Sequence, residues 1–260
     1  MISSAEVGVA TATGPQHVSN EDSLLVTEMV FAVADGMGGH AAGEVASGMA
    51  LSRLRRLGGR SDLTVESVAA ALGGASNEIF QAGSGNAEQQ GMGTTVAGLA
   101  LVQVAGAPHW LVFNVGDSRV YRFAGGGVTQ LTVDHSEVAE LVAAGTLTSQ
   151  AAARHPRRNV ITRALGGREA PEVDVWVFPP DPAERFLLCT DGLCSVLADD
   201  GLTAILAAYP DPQDAAEKLV ALAVVTGAQD DVTAVVVDLP ATPGNTDERT
   251  IPRVNLTRES

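Results

Sequence analysis

Aromatic side chains are scarce: Phe, Trp and Tyr make up 4% of the 260 residues, against a hydrophobic share of 45%. A core is available, but it has to be built mostly from Ala, Val and Leu. Positive charge is short as well, with 16 Lys and Arg against 31 Asp and Glu and a net charge of −15. Such a chain repels phosphate backbones, which argues against nucleic acid as a partner and favours cations. No apolar run approaches the ~20 residues that span a bilayer, and the first residues, MISSAEVGVATAT, lack the basic flank and apolar stretch of a secretory signal. These absences point to a cytoplasmic protein with no membrane attachment. The cysteines are Cys189 and Cys194 alone. At a strand-to-helix junction they could come close, but in an acidic chain they read as reduced core thiols rather than a disulfide or a metal pair.

The length fits one large sandwich or two smaller domains, and both readings stay open at this point. EVGVATAT and LLVTEMVFAVAD read as β segments, the second ending on Asp35. From Ala42 the period becomes helical: Ala42, Val45, Ala46, Met49, Ala50, Leu54 and Leu57 share one stripe, closed by Gly58 and Gly59. A second helix is expected from about Asp62 to Gln81. Strand patterns follow in TTVAGLALVQV, HWLVFNVGD, SRVYRF and VTQLT, joined by short turns that imply antiparallel pairing. Helical patterns return at 135–144 and 149–153. VDVWVF and RFLLCTD are strands, helices are expected over 193–208 and 212–225, and VTAVVVDL is the last strand. Asp211, Pro212 and Asp214 provide the cap, first position and first-turn acid of the 212–225 helix. Residues 240–260, polar and without apolar period, read as a flexible tail. The stretch RHPRRNVITRALGG gathers basic charge in an acidic protein, as a solvated loop or as a contact surface for anions.

Aspartates recur at strand ends: Asp35 after FAVA, Asp117 after FNVG, Asp191 after LLCT and Asp230 before VTAVVV, with Glu21 and Asp22 beside them in SNEDSLL. Taken singly, each reads as a turn or cap residue. If the strands stack in one sandwich, these carboxylates share a rim and need cations to offset their repulsion. Oxygen-only ligation suits Mg²⁺ or Mn²⁺ rather than Zn²⁺. Gly36, Gly38 and Gly39 would let backbone approach such an ion closely.

At these residues the sequence resembles the metal-dependent Ser/Thr protein phosphatases, the protein phosphatase 2C family, in their bacterial form. The resemblance spans residues 4–239 and eight fragments in the family's order: NED (20–22), VADGMGGHAAGEVAS (33–47), GMGTTV (91–96), NVGDSRVY (114–121), LTVDHSEV (131–138), HPRRNVITRALG (155–166), LLCTDGL (187–193) and QDDVTAVVV (229–237). It implies an α+β fold, a four-layer α-β-β-α sandwich of two antiparallel sheets with the metal site at one end. Residues 4–239 would be one catalytic domain with a flap at about 136–165. The resemblance implies catalytic roles for Asp35, Asp191 and Asp230: Asp35 would bridge two Mn²⁺ or Mg²⁺ ions, Gly36 would offer its carbonyl to one, and Asp191 and Asp230 would complete the other. Glu21 and Asp22 would lie at the second ion directly or through waters, and Asp117 would help hold a weaker third. The implied partners are phosphorylated proteins, including a Ser/Thr kinase and its substrates, and the implied state is a monomer. The alternative is a catalytically weak module that binds phosphoprotein or kinase.

Phosphomonoesters resist water because nucleophile and substrate are both electron-rich. Two cations about 4 Å apart lower the pKa of a shared water and offset phosphoryl charge, so no Ser, Cys or His nucleophile is needed. Two departures from the family pattern stand out. His17 occupies the usual place of an arginine that grips phosphate, and would make one charged hydrogen bond where a guanidinium makes two. Ser195 stands where an aspartate usually follows the TDGL motif, which bears on the third ion. Asp231 fills a common Asn position without being an expected ligand. Met37 replaces a frequent His, and His40 reads as a helix-start packing or capping group. Asp134 and His135 are expected to fix the flap's base, and Trp110 and Trp176 to pack.

Overall fold

Among the described residues, runs of Val, Leu and Phe with small partners set eleven strands, and longer 3.6-residue stripes set the helices. The computed structural model describes residues 5–38, 42–181 and 184–239. Gly39, His40 and the tail at 240–260 lie outside the described residues. The chain begins with β1 (Glu6–Ala12), β2 (Asp22–Val26), β3 (Val30–Met37), α1 (Ala42–Arg55) and α2 (Val65–Gly85). Then come β4 (Gly93–Thr94), β5 (Val96–Val104), β6 (Ala107–Val115), β7 (Arg119–Ala124) and β8 (Gly127–Gln130). Short helices α3 (Glu137–Ala143) and α4 (Ser149–Ala152) precede β9 (Asp174–Phe178) and β10 (Arg185–Cys189). The last elements are α5 (Asp191–Cys194), α6 (Asp199–Ala208), α7 (Pro212–Thr226) and β11 (Val232–Asp238).

One sheet has the order β1-β11-β10-β7-β8 and the other β2-β3-β5-β6-β9, with β4 pairing to β3. Every pairing between these strands is antiparallel. Phe31, Val33, Leu99, Val112, Phe186, Leu188, Val235 and Val237 fill the space between the sheets. The opposite face of the β3 sheet packs on α1 and α2 through Leu54, Leu72, Ile79 and Phe113. The opposite face of the β10 sheet packs on α5, α6 and α7 through Leu187, Leu193, Leu219 and Val236. β11 is therefore covered on both faces, which explains its unbroken apolar run. The layers are α-β-β-α, as expected from the sequence.

Several boundaries differ from the sequence reading: the helix expected from about Asp62 to Gln81 runs Val65–Gly85, and TTVAGLALVQV is divided between β4 and β5. LLVTEMVFAVAD is two strands, because the Thr27 Oγ1 accepts from the Val30 N–H at 2.8 Å and turns the chain between β2 and β3. The helix expected over 193–208 is broken into α5 and α6. Ala198 is extended, and Asp199 and Asp200 restart the helix where its dipole favours negative charge. The α7 start is as read: Asp211 accepts from the Gln213 and Asp214 N–H groups, with Pro212 at the first position. Trp110 is buried with its ring 6.0 Å from that of Phe186, and Trp176 packs at the edge of the inter-sheet core.

Candidate metal centre

The strand register decides which carboxylates meet. Asp22 opens β2 directly across from Asp35 near the end of β3. Cys189, the last residue of β10, pairs with Arg119 and Ala234, which brings Asp191, Asp117 and Asp230 to the same edge. Asp35 carries the repulsion of Asp22, Asp191, Asp230 and Asp117, so the five carboxylates form one electrostatic cluster.

These residues are half-buried; the carboxyl groups of Asp22, Asp35, Asp117 and Asp191 are turned into the protein, while the Asp230 side chain stays 44% exposed. Desolvation, then mutual repulsion, pushes Asp22 and Asp117 up to about 7 and Asp191 to about 6, and raises Asp35 well above the ordinary carboxylate range. Asp22 Oδ1 and Asp191 Oδ1 are buried with no hydrogen-bond partner. An all-oxygen set, crowded and partly orphaned, fits hard divalent cations.

Hydroxyls hold the carboxylates in place. Asp35 N–H donates to Thr95 Oγ1 at 3.0 Å, and the Asp35 carbonyl accepts from Thr94 Oγ1 at 2.8 Å. Thr190 Oγ1 donates to Asp22 Oδ2 at 2.8 Å and itself accepts from the Thr233 N–H. Gly36 is a glycine because a Cβ there would run into the carbonyls of Gly43 and Glu21. The small-residue turn after Asp35 therefore lets β3, α1 and the Glu21 backbone touch. Glu21 faces His17, Asp231 and Asp230 and is raised, chiefly by desolvation.

His17 does not stand alone. Its Nδ1 lies 3.0 Å from Asp231 Oδ2 and 3.6 Å from Asp230 Oδ1, and the bond to Asp231 raises its pKa. Asp231, only 2% exposed, accepts the Gly14 N–H on Oδ1 at 2.8 Å and the Glu21 N–H on Oδ2 at 2.7 Å. Ligand-type atoms of His17, Asp230 and Asp231 lie within 4.8 Å of one another. The oxygens of Asp231 are occupied by those N–H groups, so it serves as a clamp that fixes the loop between β1 and β2 beside Asp230. The sequence reading passed over this role, as it did Thr95, Thr190 and Thr233. Their only signal was membership of the GMGTTV, LLCTDGL and QDDVTAVVV fragments. Ser195 donates its hydroxyl to the Gly192 carbonyl at 3.3 Å.

The segment 136–165 leaves and rejoins this edge. Asp134 pairs with Arg119 at 2.6 Å, and His135 Nδ1 accepts from the Gly116 N–H at 3.1 Å. Ser136 bridges to Ile161 and Leu165 to Thr94, next to Asp35. Arg163, from the basic stretch, is held by Asp174 at 3.1 Å, and Arg157 by Glu137.

An α+β sandwich with an acidic, cation-seeking edge defines a class of metal-binding proteins, and comparison gives the family. Residues 16–228 match the family model described as Protein phosphatase 2C. The Mycobacterium tuberculosis Serine/threonine protein phosphatase PstP is 38% identical over 231 residues, which cover 87% of this chain and 43% of that protein. A Streptococcus pyogenes protein named Putative protein phosphatase 2C-type is 31% identical over 89% of this chain and 96% of its own length. The crystal structure of M. tuberculosis PstP/Ppp superposes with a TM-score of 0.85 at 33% identity, covering 91% of this chain and 99% of that one. The PstP catalytic domain in complex with two manganese ions gives a TM-score of 0.81 at 33% identity, over 91% and 98%. The chain belongs to the protein phosphatase 2C family. It spans less than half the length of the M. tuberculosis relative.

Proposed function

We propose that this protein is a protein-serine/threonine phosphatase, hydrolysing phosphoserine and phosphothreonine with two Mn²⁺ or Mg²⁺ ions. The observation that carries the reading is the buried carboxylate cluster with its unpartnered oxygens on Asp22 and Asp191. Membership of the family and the manganese pair in the PstP catalytic domain support it. Asp35, Asp191 and Asp230, with the Gly36 carbonyl, would hold the paired ions. Asp22 and Glu21 would act at the second, and Asp117 at a weaker third. When bound, the ions supply a nucleophile from water near neutral pH and positive charge beside the phosphoryl oxygens. The chain's own groups orient this chemistry: Thr94 and Thr95 fix Asp35, Thr190 fixes Asp22, and Asp231 fixes Glu21. His17, bonded to Asp231 and charged when protonated, lies beside Asp230 as the phosphate-facing cation of the loop.

Residues 4–239 form the catalytic domain in this reading, with 136–165 as the flap. The substrates are phosphorylated proteins, including a bacterial Ser/Thr kinase and its targets, met in the cytoplasm by a monomer. No helix among the described residues is long and apolar enough to cross a membrane. Hydrolysis of p-nitrophenyl phosphate and of a phosphothreonine peptide with added Mn²⁺ tests the reading. Asp35→Ala and Asp191→Ala are expected to lower kcat roughly a hundredfold or more, since even groups behind the ligands matter by 10- to 100-fold. Activity indifferent to both substitutions would refute it.

A further inference from the structure

Cys189 and Cys194 lie outside the carboxylate set yet bracket Asp191. Thr190 is the cap of α5, so Cys189 precedes the cap and Cys194 is the fourth helical residue. At a helix start those two positions face each other, and apolar side chains there close the turn as a staple. Here the staple is a pair of thiols. The Cys189 side chain interacts with that of Cys194, and both belong to the core beneath α6 and α7. Both cysteines are free; Cys189 is fully buried and Cys194 is half-buried. The Cys194 sulfur lies 3.6 Å from the Asp191 carbonyl oxygen. The Arg119 guanidinium is within electrostatic reach of both sulfurs. The Cys194 side chain and burial push the Cys189 thiol up, so the half-buried Cys194 is the thiol that meets an oxidant first.

We propose that Cys189 and Cys194 form a peroxide-sensitive dithiol whose closure to a disulfide displaces Asp191 and weakens divalent-cation binding. Cys194, the accessible thiol, attacks hydrogen peroxide: an S–O bond forms, the O–O bond breaks, and the leaving hydroxide takes the thiol proton as water. The Cys189 sulfur then attacks the sulfenic sulfur. The S–S bond forms, the S–O bond breaks, and a second water leaves with the Cys189 proton. One peroxide is reduced by two electrons as two thiols become one disulfide. Closure to about 2.0 Å between sulfurs draws Cys194 toward the end of β10. Asp191 moves with it, because the Ser195 N–H is bonded to the Asp191 carbonyl at 2.7 Å and the turn is one unit.

The effect on cations rests on the proposed function; the cross-link does not. The test oxidises the metal-free full chain with hydrogen peroxide, maps thiols by peptide mass spectrometry and measures the Mn²⁺ Kd by calorimetry. A Cys189–Cys194 cross-link is expected, with Mn²⁺ Kd rising roughly tenfold or more and returning after reduction. Cys194→Ser, at a half-buried position, is expected to keep native Mn²⁺ affinity before and after peroxide. Cys189→Ala is expected to stop at an oxidised Cys194 without cross-link. Oxidation of Cys194 to sulfinic acid with no cross-link in the native chain overturns the proposal, as does a cross-link that leaves the Mn²⁺ Kd unchanged or an equal loss in Cys194→Ser. Failure of the reduced protein to bind Mn²⁺ would instead strike the proposed function, and the mass map still decides the thiol chemistry.

Discussion

Asp231 shows how much one atom can decide. The usual asparagine has a single acceptor oxygen, whereas Asp231 uses both oxygens for the Gly14 and Glu21 N–H groups and shares one with His17. In Asp231→Asn an NH₂ group must face an N–H donor, leaving a buried group unsatisfied at a cost of about 1–3 kcal/mol. Chemical denaturation is expected to show that loss, together with a raised KM because Glu21 and His17 lose their anchor. The His17–Asp231 bond also predicts a titration. The folded pKa of His17 lies above its ordinary value, so the contribution of this pair is fully present below the unfolded pKa near 6.5 and is lost as pH rises through the folded value. An NMR titration of the His17 ring is expected to give a midpoint above 6.5 in the native chain and a lower one in Asp231→Asn. Neither residue's partner could be read from spacing, since 214 positions along the chain separate them.

Elements position the site by close approach rather than by size. β3 and α1 meet at Gly36 and Gly43, with Glu21 wedged against both. Gly36→Ala would drive a Cβ into two carbonyls, and overpacking of this kind costs about 1–3 kcal/mol. The expected outcome is a lower thermal midpoint with weaker Mn²⁺ binding, read together by calorimetry. Gly48→Ala, at an exposed position inside α1 where a Cβ meets nothing within 4 Å, is the control: it should leave Mn²⁺ binding unchanged and hold or raise the thermal midpoint, since Ala favours a helix over Gly. The sequence pattern placed most of these elements because apolar periodicity is local. It merged β2 with β3 and α5 with α6, because a Thr27 hydrogen bond and an acidic helix restart interrupt an apolar run without removing it.

At the scale of the molecule, the acidic edge makes stability depend on pH and on cations. Asp22, Asp117 and Asp191 rise from 3.8 to about 7, about 7 and about 6, so the metal-free native state binds more protons than the unfolded chain between those limits. Stability must then fall as pH rises from about 4 to about 7 through these groups. Scanning calorimetry of metal-free protein is expected to give a higher Tm near pH 5 than near pH 7.5, as far as this cluster is concerned. Mn²⁺ should raise Tm most at the higher pH, where the carboxylates are ionised, and its binding should release protons. A Tm of the metal-free chain that climbs steadily across this window would contradict the buried, mutually repelling cluster. The surplus of 15 negative charges strengthens the same trend by self-repulsion.

The sequence by itself determined the type and order of most elements, because alternation and helical periodicity are written in neighbouring residues. The layers came from the family resemblance, and aspartates at strand ends marked candidate oxygen ligands. Only the tertiary structure decided that Asp22 lies opposite Asp35, that Asp231 clamps the loop carrying His17 and Glu21, and that the Cys194 sulfur sits against the Asp191 carbonyl. Those facts depend on sheet register and on contacts between distant segments, where a shift of one residue turns every side chain to the opposite face.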